Sequence, residues 1–527
     1  MVIQIRRIEV LQQSRNKAPS VKQTAHNIIL LWGHKVAYII SSLVVMGVAV
    51  RFYGLEEMGI WILGTTMATY VGLMDFGAAS ALPRTLPRLL SEGRRHEASQ
   101  LVSCAFLLGA VVCLIGILVM FFGGMFITQM ILGKNIVAGN YDILVVAIVA
   151  ALIGLPLKVG YGLLATINRF DIYSGVDLLG VIFRLALVLL VVLEWRLGIF
   201  FFAIASVLPP LLTNIIQYYL GVRRVGVQIT FRGLSRASLL ELMSHTGASL
   251  LLTFSTILLV QGSTLAAAKL GTVSVASLAI PLMLVTQAVS FAASFGTLVT
   301  PIASSLSIGK ELELADVAIE TITSSASMSA LIVVILFFAG PTFMYWWLGV
   351  GKEEHSSMQQ LVWNLQFLAV GAFFVGPAAT VRGVLLGTGR HWGSALSELG
   401  SALLGLAVGL VMLRCTDLGV SALVVGVSVG FVSRFATATF LLKTRIKLRS
   451  TDLAMSIFKP LGLLLMSLGV PAIFFGLPDA HSHVHTLVAQ IVMGVTISAL
   501  GTWWFVLTPA MRNILVNKIL KVSSRAT

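Results

Sequence analysis

The chain has 527 residues, 57% of them hydrophobic and 11% charged, with a mean hydropathy of +0.96. An average soluble domain carries about 25% charged residues, so this composition excludes a water-soluble globular protein and describes a polytopic membrane protein. A transmembrane β-barrel is excluded as well, because barrel strands alternate apolar and polar residues over about ten positions, whereas the apolar runs here are continuous.

Hydrocarbon about 30 Å thick needs about 20 apolar residues per helix. In chain order, the runs predict fourteen spans: residues 27–50, 58–80, 100–124, 143–167, 175–194 and 198–220, then 240–262, 274–300, 322–346, 361–386, 393–413 and 419–442, and last 459–477 and 487–508. Residues 1–26 read as a basic, polar tail. The run behind that tail is too long for a signal peptide and lacks a small-residue cleavage site, so the first span stays in the protein.

Lysine and arginine sort to one side of this plan. Arg6, Arg7, Arg84, Arg88, Arg94, Arg95, Arg223, Arg224, Lys443, Arg445, Lys447 and Arg449 share the N-terminal side, and only Arg51, Lys134, Arg196, Lys269, Lys352 and Arg414 fall opposite. The N-terminus is therefore expected in the cytoplasm, and an even number of spans returns the tail at 509–527 to the same side. The net charge of +15 is then a topology signal and an affinity for anionic lipid head groups rather than for nucleic acid. No phosphate-cradling glycine loop is present, so ATP is not the direct energy source. No loop is long enough for a folded catalytic domain, and neither enzymatic activity nor a cofactor is expected.

Charged and polar residues interrupt particular spans. His34 and Lys35 lie in span 1, Asp75 in span 2, Lys158 in span 4, and Arg184 in span 5 with Asp177 and Glu194 toward its ends. Asn214 and Gln217 lie in span 6, His245 and Gln261 in span 7, Gln287 in span 8, Asn364, Gln366 and Arg382 in span 10, Glu398 near the start of span 11, and Arg434 in span 12. An ionisable side chain at a helix centre costs about 2.5–3.5 kcal/mol even on the lenient insertion scale, which makes each a functional-site candidate. Lys35, Lys158, Arg184 and Arg434 lie deep. Arg382 and Glu398 lie within a turn or two of the cytoplasmic surface, where snorkelling or pairing competes with a cavity role, and Asp75 has the same choice.

Structural ion pairs are the competing reading for the deep cations, but too few buried acids exist to neutralise them all. A cationic cavity suits an anionic ligand, phosphate in particular, with arginine offering forked donors and lysine a point charge. The candidate substrate-binding set is accordingly Lys35, Lys158, Arg184, Arg382 and Arg434. The amides read as helix-to-helix glue, and His34 and His245 as packing residues that could also titrate. Cys104, Cys113 and Cys415 have no metal or redox spacing and read as small packing hydrophobes. The stretch HSHVH at 481–485 is a weak metal signal on a short outer loop, so no metal site is expected.

A repeat organises these spans. At a fixed offset of 221 residues, the separation of Pro156 from Pro377, PLKVGYGLLATINR aligns with PAATVRGVLLGTGR. Gly162 meets Gly383, Arg169 meets Arg390, Asp177 meets Glu398, and Leu197-Gly198 meets Leu418-Gly419. Six spans separate the copies, an even number, so they run parallel about an axis along the membrane normal. The expected organisation is an N-lobe at 27–220, a cytoplasmic linker at 221–239, a C-lobe at 240–442 and an appended pair of spans at 443–508. Parallel lobes meet around a central cleft, the geometry of alternating access. The cations fall outside what the lobes share: Lys158 faces Ala379, Arg184 faces Gly405, Arg382 faces Tyr161 and Arg434 faces Thr213.

Residues 51–101 carry Gly54, Met58-Gly59-Ile60-Trp61 and Asp75-Phe76-Gly77 before a basic loop, and the stretch from Gly383 continues in the same style. In these elements the chain resembles the polysaccharide and O-antigen flippases of the multidrug/oligosaccharidyl-lipid/polysaccharide exporter superfamily. The resemblance implies a flippase, in the bacterial inner membrane, that moves an undecaprenyl-pyrophosphate-linked oligosaccharide from the cytoplasmic to the periplasmic leaflet. Lipopolysaccharide or related polysaccharide assembly would be its setting, with a polysaccharide polymerase and a chain-length regulator as partners. Asp75 and Glu398 would be the acids to test for ion coupling. A multidrug exporter of the same superfamily is the alternative, although such exporters depend on buried acids where this chain's deep charges are mainly basic. A non-transporting component of polysaccharide assembly would leave the cations unexplained.

Overall fold

A computed structural model describes residues 21–75, 77–132, 140–229, 247–307, 311–349, 355–446, 449–476 and 484–506. The N-terminal tail up to residue 20, the linker from 230, His245, Phe76, Lys134, Lys352, Lys447, His481, His483 and the tail from 507 lie outside the described residues. Within them the fold is all-α: no strand occurs, and thirteen helices are long and apolar enough to cross a membrane. The first of these, α1 (Val21–Val71), contains both of the first two predicted spans. They meet at Gly54, whose φ of 78° and ψ of 174° interrupt an otherwise continuous helix. The short turn expected between them is thus a one-residue kink, possible only where no Cβ opposes a positive φ. Counting the two arms of α1 separately recovers the fourteen predicted spans.

An amphipathic helix that hydropathy alone does not reveal follows. Gly77, at φ 73°, leads into α2 (Ala78–Ser91), which buries Ala81, Leu82, Leu86 and Leu89 and exposes Arg84, Arg88 and Ser91. Those leucines join Leu101, Val102 and Cys104 of α3 (Arg95–Leu132) in one core cluster. The predicted fourth span is broken rather than continuous. α4 (Tyr141–Leu157) and α5 (Val159–Thr166) meet at Lys158, just after Pro156, which has no N–H to donate to the preceding turn. Next come α6 (Phe170–Leu189), which runs on into a π-helical turn (Leu190–Glu194), and α7 (Ile199–Val225).

The remaining helices are α8 (Gly247–Ala267), α9 (Thr272–Leu306), α10 (Glu311–Leu348), α11 (His355–Ala372), α12 (Val375–Gly387), α13 (His391–Cys415), α14 (Val420–Lys443), α15 (Ser450–Phe475) and α16 (Val484–Gly501). The tenth predicted span is likewise broken, into α11 and α12. The chain clusters into two compact units. Unit 1 comprises Met1–Met46, Gly77–Gly116 and Leu152–Ser244, and unit 2 comprises Gly47–Phe76, Ile117–Ala151 and His245–Thr527.

Each unit contains one copy of the repeat, and the copies agree in backbone detail. Helices α6 and α13 begin at equivalent residues, Phe170 and His391, and so do α7 and α14, at Ile199 and Val420. Before α6, Asn168 takes φ 54° and Arg169 φ −92°, ψ 55°; before α13, Gly389 takes φ 80° and Arg390 φ −90°, ψ 52°. The same hydrogen bond closes both turns, from the Arg169 N–H to the Leu164 carbonyl (3.0 Å) and from the Arg390 N–H to the Leu385 carbonyl (2.9 Å). Asparagine and glycine are the residues that tolerate this left-handed position.

Lipid supplies no hydrophobic drive between helices, so close backbone approach has to hold them together. In unit 2 a glycine quartet provides it. A Cβ on Gly426 would stand 2.6 Å from both the Gly405 carbonyl oxygen and the Gly409 Cα, and one on Gly405 would stand 2.8 Å from the Gly430 Cα. Arg51 closes the far end of α10, its Nε donating to the Trp347 carbonyl at 3.1 Å and its Nη2 to that of Trp346. A cation there meets the negative end of the helix dipole.

Candidate functional site

Three of the residues singled out in the spans come together in unit 2. Arg382 on α12 donates from Nη1 to Oε1 of Glu398 on α13 at 2.9 Å, and Nε of Arg434 on α14 lies 3.7 Å from Oε2 of the same carboxylate. Glu398 is 3% exposed and Arg434 12%. One acid is shared by two arginines, so the cluster keeps a net positive charge. It is incompletely bonded as well: Glu398 Oε2 and the Nε and Nη2 of Arg434 are buried without a hydrogen-bond partner.

Asp177 holds the equivalent position in unit 1 and has other partners. Gln217 on α7 donates from Nε2 to its Oδ1 at 2.8 Å, Nε2 of His34 on α1 lies 3.7 Å from Oδ2, and the Tyr173 hydroxyl faces it from one turn earlier. Gln217 therefore ties α7 to α6, as helix glue whose partner is an acid. Two turns along α6, Arg184 faces the Tyr38 hydroxyl, one turn beyond His34 on α1, and its Nε is buried without a hydrogen-bond partner. Two matched contacts thus tie α1 to α6, His34 with Asp177 and Tyr38 with Arg184.

Lys35 is half-buried beside His34, and Lys158 is half-buried at the junction of α4 and α5, its N–H bonded to the Gly154 carbonyl at 3.1 Å. Asp75 ends a 3-10 turn (Gly72–Asp75), half-buried and packed near α8. Asn364 is helix glue, donating to the Ser277 carbonyl and accepting from Ser421 Oγ, both at 2.9 Å. Gln261 accepts from Thr66 Oγ1 at 2.9 Å. Outside the spans, Arg169 forks onto Asp171, with Nε–Oδ1 and Nη2–Oδ2 both 2.9 Å, and those hydrogen bonds raise its pKa above the ordinary arginine value.

Asp177 and His34 are absent from the predicted site set because hydropathy puts Asp177 at a span end and treats a histidine as packing. The repeat held the signal, since it aligns Asp177 with Glu398.

No family model and no curated protein matches the chain. Solved structures do. The lipid II flippase MurJ in an inward closed conformation superposes with a TM-score of 0.68 at 14% identity, over 91% of this chain and 98% of that one. A multidrug resistance MATE family transporter of the MOP superfamily, inward-facing, gives 0.65 at 15% identity over 77% and 95%. The Vibrio cholerae MATE transporter VcmN, in its bent form, gives 0.54 at 16% identity over 82% and 99%. At these identities the likeness is one of fold, and this multi-pass membrane protein has the all-α fold seen in MurJ and in the MATE transporters.

Proposed function

We propose that the chain is a flippase that carries an anionic lipid-linked oligosaccharide across the bacterial inner membrane by alternating access, with both termini cytoplasmic and no enzymatic step. The observation that carries the reading is Arg184, a cation within an apolar span whose facing group is the neutral hydroxyl of Tyr38 and whose Nε is buried and unpartnered. Arg184 is half-buried as a whole, but burying even part of a charge without an opposite one is costly, and a pyrophosphate or acidic sugar would complete the site. Lys35 and Lys158 are assigned to the same ligand. Arg382 and Arg434, which share a single carboxylate, form the corresponding cationic group of the second lobe. Asp75 and Glu398 stay assigned to ion coupling, with Glu398 constrained by its two arginines. The MurJ likeness supports a lipid-linked cargo; O-antigen or another polysaccharide unit is the specific proposal.

A second reading, multidrug export, is favoured by the MATE likeness and by Asp177, an acid whose neighbours include a glutamine, a tyrosine and a histidine. One experiment separates the two. The purified chain in liposomes is given either a fluorescent undecaprenyl-pyrophosphate oligosaccharide or ethidium. The flippase reading expects translocation of the former, reduced at least tenfold by Arg184→Gln with the melting temperature unchanged. Transport of ethidium that needs Asp177 and ignores Arg184→Gln would overturn it.

A further inference from the structure

Helices α13 and α14 form an antiparallel hairpin that is closed at one end and open at the other. The glycine quartet clamps its middle. Toward the end where α13 begins and α14 finishes, the helices part, and a Cβ on Gly393 would find no atom nearer than Leu441 at 4.0 Å. The resulting groove, about 600 Å³, is lined by Gly393, Leu396, Ser397, Thr437, Phe440 and Leu441. Leu396 and Phe440 are 58% and 68% exposed, so the groove opens outward. Its hydroxyls are already satisfied: Ser397 Oγ donates to Thr437 Oγ1 at 2.7 Å, and Thr437 Oγ1 donates to the Ser433 carbonyl at 2.9 Å. The groove therefore suits an apolar occupant.

The mouth is cationic. Arg390 precedes the first residue of α13, Lys443 is the last of α14, Arg445 follows two residues on, and all three are exposed. The repeat supplies a contrast. In unit 1 the equivalent arginine, Arg169, is occupied by Asp171, whereas the residue equivalent to Asp171 in unit 2 is Trp392, 60% exposed. An internal acid is thus replaced by an aromatic side chain of the kind enriched at the membrane–water interface, and the cations beside it face outward.

We infer that this hairpin binds one anionic phospholipid, with an acyl chain in the α13–α14 groove and the phosphate at Arg390, Lys443 and Arg445. The site is separate from the cations assigned to cargo: Arg434 and Glu398 belong to the same two helices but pair with each other and Arg382.

Native mass spectrometry of the full chain, offered equimolar phosphatidylglycerol and phosphatidylethanolamine, tests this. The wild type should retain phosphatidylglycerol several-fold in preference. The triple substitution Arg390→Gln, Lys443→Gln, Arg445→Gln should cut that preference at least threefold, and Ala436→Trp, which fills the groove from its α14 wall, should remove the retained lipid while the melting temperature holds. Should Ala436→Trp fail to fold, the triple substitution decides. Equal retention of both lipids by the wild type, retention unchanged by the triple substitution, or preferential capture of undecaprenyl phosphate when that is added would each overturn the inference.

Discussion

Asn168 and Gly389 occupy the same left-handed position in the two repeats, and the helices that follow begin at equivalent residues. Further along, the segments part. Where unit 2 packs Gly405, Gly409, Gly426 and Gly430 backbone against backbone, the equivalent residues of unit 1 are Arg184, Val188, Ala205 and Pro209. Where unit 2 neutralises Glu398 with two arginines, unit 1 gives Asp177 a glutamine, a tyrosine and a histidine. A turn of given hand has few steric solutions, so it recurs. What fills the helix interface beyond it is free to differ, and residues specific to one lobe are best sought there.

The strongest test of this contrast is the glycine quartet. Gly426→Leu would drive a side chain into backbone atoms of Gly405 and Gly409, which can yield only if the helices separate. The expected loss exceeds about 4 kcal/mol, in the range reserved for severe overpacking, and size-exclusion profiles should show no monodisperse protein. Gly400→Ala on the same hairpin meets open space and should instead gain up to about 1 kcal/mol of helix propensity. Tolerance of Gly426→Leu would mean that the quartet does not hold the hairpin.

Next in size come the two acids. Glu398→Gln leaves Arg434, 12% exposed, and Arg382, 34% exposed, without their shared anion; removing one partner of a buried pair costs about 3–5 kcal/mol, and water at Arg382 sets the expected loss at the lower end of that range. Adding Arg434→Met should recover much of that loss. Asp177 is 20% exposed, and Asp177→Asn keeps an acceptor for Gln217, so about 1 kcal/mol is expected, the net worth of one hydrogen bond. Thermal melts of the three variants check the order. Equal losses at both acids would erase the distinction between a tightly neutralised acid in unit 2 and a lightly held one in unit 1.

A smaller effect is expected at the shared turn. Gly389→Val places a β-branched residue at φ 80° and should cost about 1–2 kcal/mol. Asn168→Gly should change the melting temperature little, because both residues accept that conformation. If Asn168→Gly proves as damaging as Gly389→Val, the asparagine side chain has a role that the shared backbone does not explain.

Much of the fold is legible in the sequence because bilayer thickness fixes helix length, and the Arg169/Arg390 register marks equivalent helix starts without any coordinates. Hydropathy misplaces what depends on single residues: one positive φ at Gly54 replaces an expected turn, and Lys158 sits at a break beside Pro156. It overlooks α2 because that helix is too short and too polar on one face to register as a span. Within the candidate site, the individual cations are visible, but the sharing of Glu398 by Arg382 and Arg434 is not, since side chains on three helices meet only after packing. Pairing of Arg382 with Glu398 stands among the sequence-level alternatives; their common link to the deep Arg434 does not.

The gentlest way to sharpen the comparison is at the surface, where Arg169 meets Asp171 and Arg390 has Trp392 at the equivalent place. Both members of the Arg169–Asp171 pair are about one-third exposed, 36% and 34%, so water screens them, and Asp171→Asn should cost no more than about 1 kcal/mol. The cost should shrink further in molar salt, where the Debye length falls to about 3 Å. Trp392→Asp makes the reverse change, offering Arg390 an internal carboxylate at the position Asp171 holds in unit 1. Stability should move by less than about 1 kcal/mol again, while phosphatidylglycerol retention falls, since the new acid competes with the phosphate. Retention unaltered by that acid would place the lipid phosphate away from Arg390 and leave Lys443 and Arg445 to hold it.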